Sequence, residues 1–206
     1  MSRRQPSARQ TDRRKQSGRS PTLETLAVFA VVFVVQQLVQ MVSRQLMFGL
    51  FVLAPPIEVR PWTLLASVYA HAGLGHLLSN ALVLVLVGFA VERVTTRWRF
   101  HAFFAGVGIA AGVAQVGVSG LVGPGSAVLG ASGAVFGLLG YLLTGNPMTD
   151  AVLGWLPLSG RARIVLLLVL ASGVTLLTAA PGVALVAHFT GFVLGLLAGR
   201  VRLISA

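Results

Sequence analysis

The sequence predicts an all-α, polytopic membrane protein folded as a bundle of six transmembrane helices. Of its 206 residues, 55% are apolar and only 10% are charged, whereas a soluble domain normally carries about 25% charged residues. Six apolar segments are long enough, or nearly long enough, to cross the roughly 30 Å hydrocarbon core of a bilayer. Glycine is also abundant, with 24 residues, and small residues allow membrane helices to pack closely.

The chain divides into a tail and a single membrane domain. Residues 1–22 are polar and basic, and the first 19 positions hold seven of the sixteen Lys and Arg residues. We therefore expect a disordered cytoplasmic tail. Residues 23–206 form the predicted six-helix domain. Its spans are expected near 23–43, 75–94, 99–119, 131–145, 162–180 and 183–201.

Two of the segments between the predicted spans are unusually apolar or glycine-rich. The segment Leu46–Pro56 is too short to cross a bilayer and ends in two prolines, so we expect a loop in or on the outer leaflet. Residues 117–130 are rich in glycine and carry no charge. The short helix that follows them is therefore expected to begin below the membrane surface.

The basic residues predict the orientation of the domain. With the N-terminus inside, only Arg44 and Arg60 fall in outer loops, and the other fourteen Lys and Arg residues are cytoplasmic. This bias is typical of multi-pass membrane proteins, so we expect both termini on the cytoplasmic side of the cell membrane. The same placement argues against nucleic-acid binding despite the formal charge of +11, because a basic tail alone is weak support for it.

Cysteine and metal chemistry are not expected. The sequence contains no cysteine, which excludes disulfides, thiolate catalysis and cysteine-ligated metal. Its four histidines include no short pair accompanied by a carboxylate, so the residues do not form a metal-ligand set.

Polar side chains inside membrane segments are costly and are therefore candidate site residues. They fall in three clusters, HAGLGHLLSN, GASG and AHFTGFVLG. The first contains His71, His76 and Asn80, the second contains Ser132, and the third contains His188. Because the second, fourth and sixth predicted spans all run from outside to inside, the last four of these residues lie at a similar depth in the outer half of the membrane.

The spacing within each helix brings these clusters towards one another. His76 and Asn80 are four residues apart and share a helix face. A strip of glycines follows Ser132 and another follows His188, and such strips let two helix backbones approach closely. The strips are Gly133 and Gly137 after the serine, and Gly191, Gly195 and Gly199 after the histidine. We therefore expect the hydroxyl and the imidazole to reach hydrogen-bonding distance, about 2.6–3.2 Å.

This arrangement predicts nucleophilic catalysis. A serine hydroxyl becomes an effective nucleophile when a base takes its proton. We assign Ser132 as the nucleophile and His188 as the base of a dyad, because no carboxylate lies near either residue at comparable depth. The developing oxyanion needs hydrogen-bond donors, and the candidates are the Ser132 backbone N–H, the Asn80 amide and the His76 ring.

The three clusters resemble motifs of the rhomboid family of intramembrane serine proteases. GASGAVFGLLG resembles the catalytic-serine motif, and HAGLGHLLSN resembles the second-helix motif, His-x4-His-x3-Asn. AHFTGFVLGLLAG is similar to the last-helix motif, AH-x2-G-x3-G. The likeness covers residues from about 60 to 200, with the motifs in the family's order.

The resemblance implies an activity and its partners. It implies a six-helix core with a Ser132–His188 dyad that works without a cofactor or metal. Its substrates would be single-span membrane proteins, cut near the outer face in a segment whose helix is destabilised. The lipid bilayer is the other expected partner, and the oligomeric state is left open.

The resemblance also implies roles for residues around the dyad. The implied oxyanion and supporting residues are His76, Asn80, His71, Gly130, Gly133 and Phe136. Of these, His71 would bond to the loop before Ser132. Phe136 would pack against His188, in a position where some family members have tyrosine. Glu92 would tie helices together.

Two other functions remain open. The first is a catalytically inactive rhomboid-like protein that holds membrane clients, although the presence of both Ser132 and His188 argues against it. The second is a small-solute transporter whose path is lined by the polar residues. Transporters often carry paired half-repeats with interrupted helices at matched positions, and the sequence shows no such pairing.

Overall fold

The structure, a computed structural model, describes residues 19–145, 158–180 and 182–206. These ranges contain no β-strand, only two isolated bridges, so the all-α prediction is confirmed for them. They form eight α-helices: α1 Pro21–Val42, α2 Arg44–Phe51, α3 Thr63–Tyr69, α4 Leu74–Val91, α5 Arg97–Val122, α6 Ser132–Thr144, α7 Gly160–Leu176 and α8 Leu185–Arg200.

Each of the six predicted spans overlaps one of the longer helices. Three of these, α1, α4 and α5, are long and apolar enough to cross a membrane. The apolar helices α6 and α8 have 13 and 16 residues, and at 1.5 Å per residue α6 is only about 20 Å long. The count of six spans therefore stays a prediction. Most of the expected tail and most of the expected cytoplasmic loop 145–163 lie outside the described residues.

The prediction of a loop over Leu46–Pro56 is wrong for its first half, where α2 lies. The Ser43 side chain accepts a hydrogen bond from the Leu46 backbone N–H and caps the start of this helix. The length of the segment shows only that it is too short to cross a bilayer. A short helix can still form there, because it needs only a cap and a surface to pack on. The sequence analysis also does not predict α3, whose Thr63 hydroxyl donates to the Arg60 carbonyl.

Two carboxylates join the ends of α1, α4 and α5. The Glu92 carboxylate accepts hydrogen bonds from the Ser20 hydroxyl at 2.7 Å and the Thr22 backbone N–H at 3.1 Å. Glu24 accepts a hydrogen bond from Arg97 Nε at 2.7 Å. The hydrogen bonds of Glu92 connect the end of α4 to the start of α1. They confirm that Glu92 ties helices together, as the resemblance implies.

The core lies between α1, α4, α5 and α6, and the outer faces of the helices are also apolar. Leu78, Leu82 and Leu86 lie one turn apart on α4 and are between 57% and 66% exposed. An exposed apolar stripe of this kind suits contact with lipid. Large side chains that are fully buried include Phe29, Leu84, Phe104, Leu138 and Tyr141.

The closest helix pair is α6 with α8. A Cβ atom built on Gly191 would collide with the Gly133 carbonyl, and one built on Gly195 would collide with the Gly137 carbonyl. The two backbones therefore touch, as the glycine strips predict. Because Ser132 begins α6 and His188 lies near the start of α8, this packing places both residues at the same end of one helix pair.

Candidate active site

The loop before Ser132 is held against α3 and α4 through Gly130. The Gly130 backbone N–H donates to the Ser67 carbonyl at 2.8 Å. A Cβ atom at this position would lie 2.6 Å from Cε1 of the His76 ring. The φ angle of +134° is also one that glycine adopts most readily. Both features require glycine here, and they bring the His76 cluster next to the serine cluster.

His188 lies over the same face of α6 as Ser132. Its ring stacks on Phe136, with centroids 4.4 Å apart and planes inclined by 15°. Phe136 is four residues after Ser132, so the two side chains share a face of α6. Within the described residues no hydrogen bond joins Ser132 to His188. Such bonds are often long in substrate-free enzymes and tighten when substrate binds.

His76 and Asn80 lie one turn apart on α4. The Asn80 side-chain nitrogen donates to the His76 carbonyl at 2.9 Å, and the residue is 5% exposed. A side-chain amide has two hydrogens, so one is left for a second acceptor. The His76 ring is half-buried and lies against Gly130. The structure therefore places one predicted oxyanion donor directly beside the loop that precedes Ser132.

The hydrogen bond that the resemblance implies between His71 and this loop is not found. Neither ring nitrogen of His71 is hydrogen-bonded to the part of that loop that the structure describes. The ring packs instead against Phe29 and His76, with centroids 4.7 and 5.3 Å away, and the backbone N–H donates to Gln36 Oε1 at 2.9 Å. His71 thus packs behind His76, and the Ser67 carbonyl accepts the hydrogen bond from the loop.

A family model, the Rhomboid domain, matches residues 58–205. The chain belongs to the rhomboid family. Rhomboid proteins are typically intramembrane proteases, and the apolar helices agree with a membrane protein of this family. Site residues from the three sequence clusters lie in the matched region, together with Phe136.

Curated relatives carry the same family name. RHOMBOID-like protein 4 of Arabidopsis thaliana is 35% identical over 144 residues, which is 69% of this chain and 34% of that protein. Rhomboid protease GluP of Bacillus subtilis is 42% identical over 82 residues, or 40% of this chain and 15% of that protein. Rhomboid-related protein 3 of Homo sapiens is 30% identical over 101 residues, or 49% and 23%. The matches span about a third or less of these relatives' lengths.

Two further residues of this rhomboid contact the site and are missed by the sequence analysis. Thr178 Oγ1 lies 2.9 Å from His188 Nδ1. Gln115 Oε1 accepts a hydrogen bond from the Ala187 backbone N–H at 3.2 Å, and its Nε2 donates to Ser126 Oγ at 3.3 Å. A lone threonine or glutamine belongs to no motif, so only the folded contacts identify these two residues.

The described residues offer a hydroxyl, an imidazole and polar donors, but no group of three or more potential metal ligands. Ser132 lines a narrow crevice, and its other walls come from α3, α5, the serine loop and the start of α8. The residues in these walls include Ser67, Gly112, Gly130 and Ala187, together with apolar side chains such as Val68 and Leu129. Chemically, a serine hydroxyl and an imidazole at the same end of one helix pair are the groups that nucleophilic attack on a carbonyl requires.

Proposed function

We propose that this rhomboid is an intramembrane serine endopeptidase that cleaves transmembrane segments of single-span membrane proteins with a Ser132–His188 dyad. The observation that carries the proposal is the stacking of His188 on Phe136, one helical turn after Ser132 on the same face of α6. The contact between the α6 and α8 backbones leaves no room for a third helix between the two side chains.

In the first half of the reaction, Ser132 Oγ attacks the carbonyl carbon of the scissile bond while His188 Nε2 takes the hydroxyl proton. The carbonyl oxygen becomes an oxyanion. The Ser132 backbone N–H is available to it because the first N–H groups of a helix have no intrahelical partner. The C–N bond then breaks, and His188 returns the proton to the departing amine, leaving an ester on Ser132.

In the second half, water attacks the ester carbon while His188 takes one of its protons. The C–O bond to Ser132 breaks, the proton returns to Oγ, and the products are a carboxylic acid fragment and the free enzyme. This proposal requires water at the site, which fits a serine at the start of a short helix with the half-buried His76 ring beside the preceding loop.

His76 and Asn80 serve as further oxyanion donors in this proposal. The Ala72 backbone N–H donates to His76 Nδ1 at 3.4 Å, so a neutral His76 ring carries its own proton on Nε2. That nitrogen is therefore a donor. One oxyanion-hole donor is typically worth about 10²–10³ in rate, which makes these two residues important even though neither reacts covalently.

The proposed setting is the cell membrane, with six spans and both termini in the cytoplasm. Fourteen basic residues on one predicted side support this orientation. The proposed substrate is a single membrane-spanning segment. Part of this segment must unwind into an extended chain before it can reach Ser132. A helical segment hides its peptide groups in internal hydrogen bonds, so a substrate with a weakened helix is favoured.

Cleavage by the purified protein tests the proposal. Wild type, Ser132→Ala and Ser172→Ala are mixed in detergent with a tagged single-span substrate, and the fragments are quantified. Ser172 is the control because its hydroxyl donates to the Leu168 carbonyl of its own helix. We expect cleavage by wild type and Ser172→Ala, and none by Ser132→Ala, since loss of a serine nucleophile costs about 10⁶ in kcat in a well-studied protease.

Equal cleavage by wild type and Ser132→Ala would remove this serine from the mechanism. Binding of the substrate by wild type without any cleavage would favour a protein that holds membrane clients.

A further inference from the structure

The Thr178 hydroxyl lies between a backbone carbonyl and the imidazole of His188. Thr178 lies two residues after the end of α7, in the turn that leads towards α8. Its Oγ1 donates to the Thr175 carbonyl at 2.7 Å and lies 2.9 Å from His188 Nδ1. The Thr178 backbone N–H also donates to the Thr175 carbonyl, at 3.1 Å, which fixes the turn that holds the hydroxyl in place.

The single hydrogen of the Thr178 hydroxyl determines which atom donates in its contact with His188 Nδ1. A hydroxyl has one hydrogen and two lone pairs. A carbonyl oxygen can only accept, so the hydrogen of Thr178 is used on the Thr175 carbonyl. Towards His188 the hydroxyl therefore presents a lone pair. His188 Nδ1 must carry a hydrogen and donate it to Thr178 Oγ1.

The donation from His188 Nδ1 to Thr178 determines which nitrogen of a neutral His188 carries no proton. A neutral imidazole has one N–H, and the hydrogen bond at one nitrogen sets the state of the other. With the proton on Nδ1, Nε2 has a lone pair and can accept a proton from Ser132. His76 has the opposite arrangement, because its Nδ1 accepts from the Ala72 backbone N–H.

The ring of His188 is therefore held in two ways. Phe136 covers one of its faces, and Thr178 binds one of its edges. Together these contacts fix both the plane of the ring and its rotation within that plane. In serine proteases with three-residue sites, a carboxylate performs this task by accepting the Nδ1–H bond.

We propose that Thr178 is a positioning residue that accepts a hydrogen bond from His188 Nδ1 and thereby keeps His188 Nε2 unprotonated for Ser132. The inference rests on the proposed protease function for its catalytic consequence, but the tautomer itself is independent of catalysis. The end of α7 would then contribute directly to the site, although Thr178 lies outside all three sequence motifs.

Nitrogen-15 NMR of histidine-labelled protein at pH 8 tests the tautomer, with the His188 signals assigned from the spectrum of His188→Gln. We expect a protonated Nδ1 and an unprotonated Nε2 in wild type. Thr178→Val keeps the shape of the side chain but removes the acceptor, so His188 should shift towards the other tautomer. Thr178→Ser should restore the wild-type spectrum.

Thr175→Val is the matched control. Its side-chain hydroxyl is buried and has no hydrogen-bond partner among the described residues, and its backbone carbonyl is unaffected by the substitution. This variant should match wild type in the spectrum and in cleavage. Thr178→Val should lower kcat by about two- to tenfold with KM unchanged, because a hydrogen bond contributes about 0.5–1.5 kcal/mol. Thr178→Ser should recover most of that loss.

A protonated Nε2 in wild type would overturn the inference, as would a Thr178→Val protein with an unchanged spectrum and unchanged kcat. A wild-type protein that cuts nothing, but whose His188 tautomer still depends on Thr178, would contradict the protease proposal while supporting the tautomer assignment.

Discussion

At the scale of single residues, the candidate site depends on contacts that restrict side chains rather than on strong interactions. Gly130 lies so close to His76 that any side chain would displace the ring. Phe136 stacks on His188, and Asn80 is anchored by its bond to the His76 carbonyl. Each contact reduces the number of orientations open to a polar group, which is how packing alone gives a site precision.

Phe136 provides a prediction at this scale. Phe136→Leu keeps most of the apolar volume but removes the flat face that His188 stacks on. Aromatic stacking contributes about 0.5–1.5 kcal/mol, so we expect kcat/KM for substrate cleavage to fall by about two- to tenfold. Phe136→Tyr retains the ring and should stay near wild type. Equal activity of Phe136→Leu and wild type would show that the stacking does not position His188.

At the scale of helices, the contact between α6 and α8 decides the geometry of the site. Glycines remove the side chains that would hold the two backbones apart. Ser132 and His188 then lie at the same end of the helix pair, because each is close to the start of its own helix. Gln115 adds a second link, since it bonds both the start of α8 and the loop before α6.

The close approach predicts the effect of adding one methyl group. Gly191→Ala places a Cβ atom against the Gly133 carbonyl, and because backbone cannot move aside, the helices must separate. Overpacking typically costs about 1–3 kcal/mol, so we expect a lower thermal midpoint in detergent and weaker cleavage. Gly106→Ala on α5 is the control because nothing lies within 4 Å of its built Cβ. Equal midpoints for the two variants would contradict the packing argument.

The sequence predicts the helices and the convergence of the three motifs because both follow from local signals. Runs of apolar residues define the spans, and glycine spacing defines which faces meet. The features that the sequence does not predict have a common cause. The partners of His71 and the role of Thr178 depend on which residues other elements bring alongside, and the extra helix α2 depends on a single cap at Ser43. None of these leaves a periodic pattern in the chain.

At the scale of the whole molecule, the helix lengths suggest where the site lies relative to lipid. The helices α1, α4 and α5 can cross a bilayer, whereas α6 is shorter. If the inner ends of the helices lie at one level, a short α6 begins below the outer surface. Ser132, at its start, would then lie below that surface. The exposed apolar stripe on α4, formed by Leu78, Leu82 and Leu86, suits contact with lipid.

The absence of cysteine makes the predicted orientation simple to measure. Glu58→Cys introduces one thiol in the first outer loop, and Ala206→Cys introduces one at the other predicted side. In intact spheroplasts, a membrane-impermeant maleimide should label the cysteine at 58 at once, and the cysteine at 206 only after the membrane is permeabilised. Immediate labelling at position 206, with protection at position 58, would reverse the orientation inferred from the basic residues.

Covalent labelling with a fluorophosphonate tests directly whether Ser132 and His188 act together. An activated serine oxygen attacks phosphorus and displaces fluoride, and the base takes the hydroxyl proton. Mass spectrometry of the wild-type protein should find the adduct on Ser132, and Ser132→Ala and His188→Gln should both lack it. A wild-type protein that forms no adduct on Ser132, or a His188→Gln protein labelled as fast as wild type, would contradict the dyad.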